Sequence, residues 1–195
     1  MFWVNRNKRI AKFARGKVLD VGVGGGNAFL NNVVGIDIKK SKKPKNYKKV
    51  FVMDAQNMKF KSGSFDSITV GCVLAHLENP SAFLRECHRV LNSSGLLIIT
   101  VPNPFSPFTL FTNLFFPTRL PTAKEHISVI PPRNLTLLFS HNGFKIEKRI
   151  SLGLQIPKVN KRFPVPVFIG QEIVYICKKS KISNDGILRL KTRRY

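Results

Sequence analysis

Apolar residues along the chain fall into short runs that are separated by amphipathic stretches. Each of the five early runs spans four to seven residues, the length and character expected of strands covered on both faces. Two further runs near the end predict closing strands. The predicted strands cover 17–21, 33–38, 50–53, 65–71, 96–101, 144–152 and 172–178.

The stretches between these runs carry helical signals. Ile10, Phe13 and Ala14 stand at i, i+3 and i+4 and predict an amphipathic helix ahead of the first strand. Asn79 can cap a helix whose first residue is Pro80. Strands that alternate with helices in this way predict an α/β, doubly wound sheet. The predicted helices cover 5–15, 27–32, 80–91 and 132–142.

The character of the chain changes after residue 102. Between 102 and 121 lie five phenylalanines and five prolines, a mixture that predicts an apolar segment unable to fold as a regular helix. Two interpretations stay open: the segment adds to the core, or it forms a lid over a binding site beyond the fifth strand. We expect one domain over 1–178, with 104–131 as the lid or insertion, and a basic tail over 179–195.

Positive charge is the unusual feature of the composition. The 195 residues include 33 Lys and Arg against 10 Asp and Glu, a formal net charge of +23. The basic residues concentrate in 1–17, 39–49 and 178–195. Such clusters favour RNA or an anionic membrane surface as a partner, and they also suit a plain solvated surface. The sequence leaves both interpretations open.

The cysteines and the chain start bear on location. Cys72, Cys87 and Cys177 lie in apolar contexts without the spacing of a disulfide framework or a metal site, so no metal is expected. A reducing, cytoplasmic location fits this pattern, with a peripheral position at the membrane as the alternative that the charge allows. We expect neither a signal peptide nor a membrane-spanning helix.

Three glycines at alternate positions follow the first predicted strand. Gly22, Gly24 and Gly26 would let the chain turn tightly and present bare backbone to a ligand. The dinucleotide fingerprint GxGxxG would need its third glycine at position 27 or 29, where Asn27 and Phe29 stand instead. A nicotinamide-binding loop is therefore not predicted.

The glycine spacing resembles motif I of the class I S-adenosylmethionine (SAM)-dependent methyltransferases, and later segments agree with that family in register. The pattern looks most like methyltransferase type 11, the subgroup that contains the ubiquinone and menaquinone methyltransferases. The resemblance implies a Rossmann-like, mostly parallel seven-stranded sheet with an antiparallel last strand, and SAM as the cofactor. The segments that carry it are 18–26, 35–38, 52–55, 63–66, 74–80, 83–91 and Gly95.

The resemblance also implies where the cofactor binds. Asp37 would accept hydrogen bonds from the ribose hydroxyls, and Asp54 would receive the adenine amino group; each can instead be a cap or turn residue. Only ten residues separate Gly26 from Asp37, fewer than is usual in the family, so the helix at 27–32 should be one or two turns long. The implied cofactor-binding residues are Asp20, Gly22, Val23, Gly24, Gly26, Asp37, Ile38, Asp54, Ala55 and Cys72.

Two histidines are candidates for taking a proton from the methyl acceptor. His76 stands just beyond the fourth strand, at the edge where open α/β sheets bind ligands. His126, beside Glu125, belongs to the segment that resembles the acceptor-side lid. Either can instead have a structural role, His76 in the pocket wall and His126 as a plain loop residue.

The apolar lid predicts a small or lipid-linked methyl acceptor for a SAM-dependent methyltransferase. An RNA or protein methyltransferase that uses the basic surface is the alternative. A non-catalytic polyanion-binding protein on the same fold is the third hypothesis.

Overall fold

The computed structural model describes residues 2–115, 130–155, 162–163, 165–167 and 169–181. Within these ranges the strands are β1 Val18–Val21, β2 Val33–Asp37, β3 Tyr47–Val52, β4 Phe65–Gly71, β5 Leu91–Pro102, β6 Phe144–Ser151, β7 Leu154–Gln155, β8 Arg162–Phe163 and β9 Glu172–Lys179. The helices are α1 Phe2–Ala11, α2 Pro80–Val90, α3 Pro107–Phe115 and α4 Pro132–His141, with a 3-10 turn at Leu74–His76.

Seven of the strands form one sheet in the order β3-β2-β1-β4-β5-β9-β6. Strands β1 to β5 run parallel to one another, whereas β9 lies antiparallel between β5 and β6. The short strands β7 and β8 pair separately. The predicted fold class, a mostly parallel, Rossmann-like seven-stranded sheet with an antiparallel last strand, is confirmed. The carboxyl ends of β1, β2, β3 and β4 therefore meet at one edge of the sheet.

Helices α2 and α4 cover one face of this sheet. Asn79 caps α2 as predicted, because its side-chain oxygen accepts a hydrogen bond from the Ala82 N–H at 2.9 Å. Phe83 of α2 and Phe139 of α4 are fully buried against the inward side chains of the central strands. Burial of each such ring stabilises the fold by about 2–3 kcal/mol, which makes this face the main core.

Helix α1 covers the opposite face. Its Ile10 packs in a smaller cluster with Ile98 of β5 and Val174 of β9. The Arg9 guanidinium donates a hydrogen bond to the Ser151 carbonyl at 2.7 Å, which fastens the helix to the end of β6. The sequence placed this helix at 5–15, whereas it occupies Phe2–Ala11.

The predicted helix at 27–32 is wrong, because the segment folds as a series of turns. Side-chain amides take over the hydrogen bonds that a helix would make. The Asn27 oxygen accepts from the Phe29 N–H at 3.1 Å, and the Asn46 amide donates to the carbonyls of Asn27 and Leu30 at 2.9 and 2.8 Å. Asn32 then adopts a positive φ of 52° before β2 begins.

The basic segment 39–49 is only partly a loop. Strand β3 begins at Tyr47, three residues earlier than predicted, because the Tyr47 side chain is buried while Lys48 and Lys49 stay exposed. A buried aromatic residue such as Tyr47 stabilises the strand conformation, so the strand can include the neighbouring lysines.

The prediction that 102–121 cannot form a regular helix is also wrong in part, since Pro107–Phe115 is α3. Pro107 occupies the first helical position, where a proline needs no N–H, and no other proline lies within α3. Residues 116–129 lie outside the described part of the chain. No helix in the described residues is long and apolar enough to cross a membrane.

Candidate functional site

Two adjoining cavities open at the carboxyl edge of β1, β2 and β4. The larger, of about 820 Å³, is lined by the glycine loop, the end of β4 and the inward side of α1. The smaller, of about 540 Å³, is lined by the residues that follow β2 and β3. Gly22, Asp37, Val73 and His76 line both cavities, so the two join at these residues.

The glycine loop forms the floor of the larger cavity. Gly22 has φ +74°, and a Cβ there would lie 2.4 Å from a methyl group of Val73, so no other residue fits this tight turn. Gly24 has φ +48°, and a Cβ there would meet no atom within 4 Å. The backbone at Gly24 is therefore bare toward the cavity.

Asp37 ends β2 at the junction of the cavities. One carboxylate oxygen accepts a hydrogen bond from the Gly24 N–H at 3.2 Å, and the other accepts from the Lys39 N–H at 3.1 Å. These backbone donors hold the carboxylate while leaving it half-exposed to the cavities. A carboxylate held this way can accept further hydrogen bonds from hydroxyl groups of a ligand.

The smaller cavity contains the other residues predicted for the adenosine side. Ile38, Asp54 and Ala55 all line it, together with Met53 and Gln56. The Asp54 carboxylate accepts from the Gln56 N–H at 2.8 Å, which makes Asp54 a turn residue as well as a wall residue.

A partly buried ion pair holds this wall in place. The Glu86 carboxylate accepts from the Met58 N–H at 2.7 Å and pairs with Arg89 at 2.7 Å. Arg89 also donates to the carbonyls of Met58 and Phe60, both at 2.6 Å. The hydrogen bond from Arg89 lowers the pKa of Glu86, so the pair stays ionised and ties the loop after β3 to α2.

Asp20 is the most perturbed acid of the larger cavity. Its carboxylate accepts hydrogen bonds from Thr69 at 2.6 Å and from the Tyr47 hydroxyl at 2.5 Å. Burial raises its pKa to about 6, although these hydrogen bonds and the nearby Arg6 charge act in the opposite direction. The Tyr47 hydroxyl in turn accepts from the Asn27 N–H at 2.8 Å, which joins β1, β3, β4 and the turn segment.

Arg6 and Asn7 of α1 line the larger cavity and were not predicted there. Arg6 is buried, and its guanidinium lies 3.4 Å from the Cys72 sulfur. The sequence carried one signal for it: Arg6 stands four residues before the buried Ile10, on the same face of the helix.

Cys72 follows β4 with a positive φ of 59°, between the cavity residues Gly71 and Val73. Its thiol contacts Arg6, Thr100 at 3.5 Å and Glu172 at 3.9 Å. Burial raises the pKa of Cys72 to about 11, so the thiol is uncharged near neutral pH and is a weak nucleophile.

The histidines separate by position. His76 is exposed at the end of the 3-10 turn and lines both cavities, at the edge where it was predicted. His126 lies outside the described residues. His88 contacts the Ser180 carbonyl at 2.9 Å and the edge of Phe144, which is a structural role.

The site combines a bare backbone turn, a partly exposed carboxylate at Asp37 and two groups of opposite charge, Arg6 and Asp20. It can therefore hold an elongated ligand that carries hydroxyls and a zwitterionic end. Within the part of the chain that the structure covers, no three His, Cys, Asp or Glu residues come together as a metal site would require.

Comparisons with known proteins show which family the chain belongs to. A family model described as a methyltransferase domain matches residues 3–149. The chain is 39% identical over 104 residues to an uncharacterized protein of Methanocaldococcus jannaschii, a match that covers 50% of this chain and 41% of that protein. It is 40% identical over 65 residues to a probable SAM-dependent methyltransferase of Mycobacterium tuberculosis, which covers 31% of this chain and 24% of that protein. The chain thus spans less than half the length of these relatives.

Solved structures show the same fold. A SAM-dependent methyltransferase from Thermotoga maritima superposes with a TM-score of 0.72 at 20% identity, over 92% of each chain. One from Archaeoglobus fulgidus superposes with a TM-score of 0.64 at 19% identity, over 91% of each chain. The resemblance to the class I SAM-dependent methyltransferases, drawn from the glycine loop and the later segments, is confirmed. The chain belongs to the methyltransferase domain family, and its fold is that of the class I SAM-dependent methyltransferases.

Proposed function

We propose that this chain transfers a methyl group from SAM to a small or lipid-linked acceptor. The observation that carries the proposal is the position of the Asp37 carboxylate, which lies across the junction of the two cavities beside the bare backbone of Gly24. The two cavities suit the two ends of the cofactor, and Asp37 suits the ribose between them.

The charges of the larger cavity fit the amino-acid end of SAM. Asp20 would pair with its ammonium group, and Arg6 with its carboxylate. Gly22, Val23 and Gly26 would shape the turn around this end, whereas Ile38, Asp54 and Ala55 would hold the adenine. Cys72 would contribute through its backbone next to Gly71 and Val73, because its thiol faces Arg6, Thr100 and Glu172.

When bound, SAM supplies a methyl group that its sulfonium already activates. The residues of the chain then have to orient the acceptor and exclude water. His76, at the mouth of both cavities, could accept a proton from an acceptor hydroxyl or amine. His126 remains a second candidate for this role.

The lid residues support an apolar acceptor. Helix α3 follows β5, the strand that neighbours β4, and so begins at the same edge of the sheet. Phe111 and Phe115 on α3 are more than half exposed. Their exposure favours the lid interpretation over the core interpretation for this part of 104–131. A basic groove lined by Lys145, Arg149 and Lys181 supports RNA as an alternative acceptor.

Replacing Asp37 with Ala should weaken binding of SAM and S-adenosylhomocysteine. The ribose hydroxyls would lose a charged acceptor, at a cost of about 2 kcal/mol or roughly thirtyfold in Kd. Isothermal titration calorimetry measures this. Glu147→Ala removes an exposed acid outside both cavities and should leave the affinity unchanged. Equal affinity in Asp37→Ala and the parent chain, or tighter binding of NAD than of SAM, would contradict the proposal.

The affinity for S-adenosylhomocysteine should rise between pH 5 and pH 7. The pKa of Asp20 is about 6 in the free protein, so this carboxyl is largely protonated at pH 5 and pairs poorly with an ammonium. Since the ligand favours the ionised form, the affinity at pH 5 should be about tenfold weaker than at pH 7.

Titration of the His76→Asn variant isolates this effect, because His76 also lines both cavities. The pH dependence should persist in His76→Asn and should vanish when Asp20→Asn is added. A flat or falling affinity between pH 5 and pH 7 in His76→Asn would exclude Asp20 from ammonium binding.

Replacing Phe111 and Phe115 with Ser should reduce methyl transfer while SAM affinity and Tm change little. Both side chains are exposed, so their loss leaves no cavity in the core, but an acceptor would lose its apolar cover. Release of S-adenosylhomocysteine with fractionated cell extract as the acceptor source measures turnover. If either single variant, Phe111→Ser or Phe115→Ser, lowered Tm by an amount that corresponds to several kcal/mol, these residues would instead be part of the core.

A further inference from the structure

One face of α3 exposes four large apolar side chains. Leu110, Phe111, Leu114 and Phe115 are between 51% and 74% exposed. Their spacing of i, i+1, i+4 and i+5 places them within an arc of about 140° on the helix. The rings of Phe111 and Phe115 pack together with centroids 4.8 Å apart, and Phe105, two residues before the helix, is also more than half exposed. We call these five residues the α3 apolar face.

The base of α3 is fixed although this face is exposed. Asn103 and Ser106 are buried, and their side chains donate hydrogen bonds to the carbonyls of Gly170 at 2.8 Å and Ile169 at 2.9 Å. The Asn103 N–H also donates to the Gln171 carbonyl at 2.8 Å. The apolar face is therefore presented by an anchored helix rather than by a loose loop.

Positive charge lies beside the same anchor. Gly170 packs against Ser151, since a Cβ at Gly170 would lie 2.1 Å from the Ser151 hydroxyl oxygen. Arg9 of α1 donates to the carbonyl of the same Ser151. Helix α1 thus meets the corner that holds α3, and its Lys8 and Arg9 are exposed, as is Lys12 just beyond its end. No acidic residue occurs in 1–19 or 87–124, the sequence segments around these two helices.

We propose that α3 docks on the surface of an anionic lipid bilayer. The α3 apolar face enters the boundary between headgroups and acyl chains, and the basic side chains of α1 pair with lipid phosphates. An apolar face next to a cationic one is the arrangement that interfacial helices use. The inference deepens the proposed function, on which its consequence for catalysis rests, because docking would bring a lipid-linked acceptor to the edge of the sheet that carries the site.

Charge and chemistry favour an anionic bilayer over a second copy of the chain or RNA as the partner of the α3 apolar face. A second copy of the chain would bring a formal charge of +23 against another +23, which opposes self-association through this surface. RNA could pair with the same basic side chains and stack on the phenylalanines, but it would leave the aliphatic Leu110 and Leu114 of the α3 apolar face without an apolar partner. An anionic bilayer satisfies both the apolar face and the charge.

Vesicle flotation of the full chain tests the proposal. The parent chain should float with phosphatidylcholine vesicles that contain anionic phosphatidylglycerol, and much less with pure phosphatidylcholine. The double variant Leu110→Gln and Leu114→Gln keeps a helix-compatible side chain at both positions and should lower the partition coefficient at least about tenfold. Leu137→Gln on α4, where Leu137 is 52% exposed, is the matched control and should change it less than about twofold.

Several outcomes would overturn the proposal. It would be overturned if the double variant floated as well as the parent, if Leu137→Gln lost as much binding, or if the parent chain did not float. It would also be overturned if the parent bound RNA instead of vesicles and the double variant lost that RNA binding. Calorimetry with S-adenosylhomocysteine is run on all variants, and unchanged affinity shows that they fold. If the parent floats and binds no S-adenosylhomocysteine, the proposed function fails while the docking inference stands.

Tryptophan fluorescence gives a second readout. Trp3 is the only tryptophan of the chain, so Trp3→Phe with Leu114→Trp places a single indole on the α3 apolar face. Lipids with brominated acyl chains should quench this indole strongly and should leave a Trp3→Phe, Leu137→Trp control unquenched. Equal quenching of the two indoles would contradict insertion through α3.

Discussion

The buried carboxylate of Asp20 joins the segments around the larger cavity. It accepts hydrogen bonds from Thr69 of β4 and from Tyr47 at the start of β3, and Tyr47 in turn accepts from the backbone of Asn27. An ionisable group buried in this way is unfavourable unless its hydrogen bonds are made, and its raised pKa reflects that cost. The network lets the chain pass from the glycine loop to β2 by turns alone, and α1 lines the cavity beside them.

The parts of the site that are local in sequence could be predicted from it. The glycine loop, Asp37 and the residues after β3 each belong to a short motif at the end of a strand, and parallel strands bring such ends together. Arg6 was missed because its place in the cavity depends on where α1 crosses the sheet, and the sequence of the helix alone does not determine that position. The turns at 27–32 were missed because they depend on the Asn46 amide, which arrives from the next connection. Helix α3 was missed because the prolines of 102–121 argue against a regular helix. A proline disrupts a helix only in its interior, whereas Pro107 stands at the first helical position.

The position of α3 links the cofactor site to the surface of the protein. The glycine loop and Asp37 lie at the edge of the sheet where β5 also ends. The anchored helix α3, with its exposed apolar face, follows β5 at that edge. Helix α1 takes part in both regions, since Arg6 lines the larger cavity while Arg9 reaches the corner that holds α3. Under the proposed docking, a lipid-linked acceptor would therefore approach the edge of the sheet that carries the cavities.

A crystal structure of the chain grown with S-adenosylhomocysteine tests the central claim most directly. We predict that the ribose hydroxyls lie within hydrogen-bond distance of the Asp37 carboxylate, with the amino-acid end between Arg6 and Asp20 and the adenine beside Asp54 and Ala55. Ligand density outside both cavities, or no density at a saturating ligand concentration, would contradict the account.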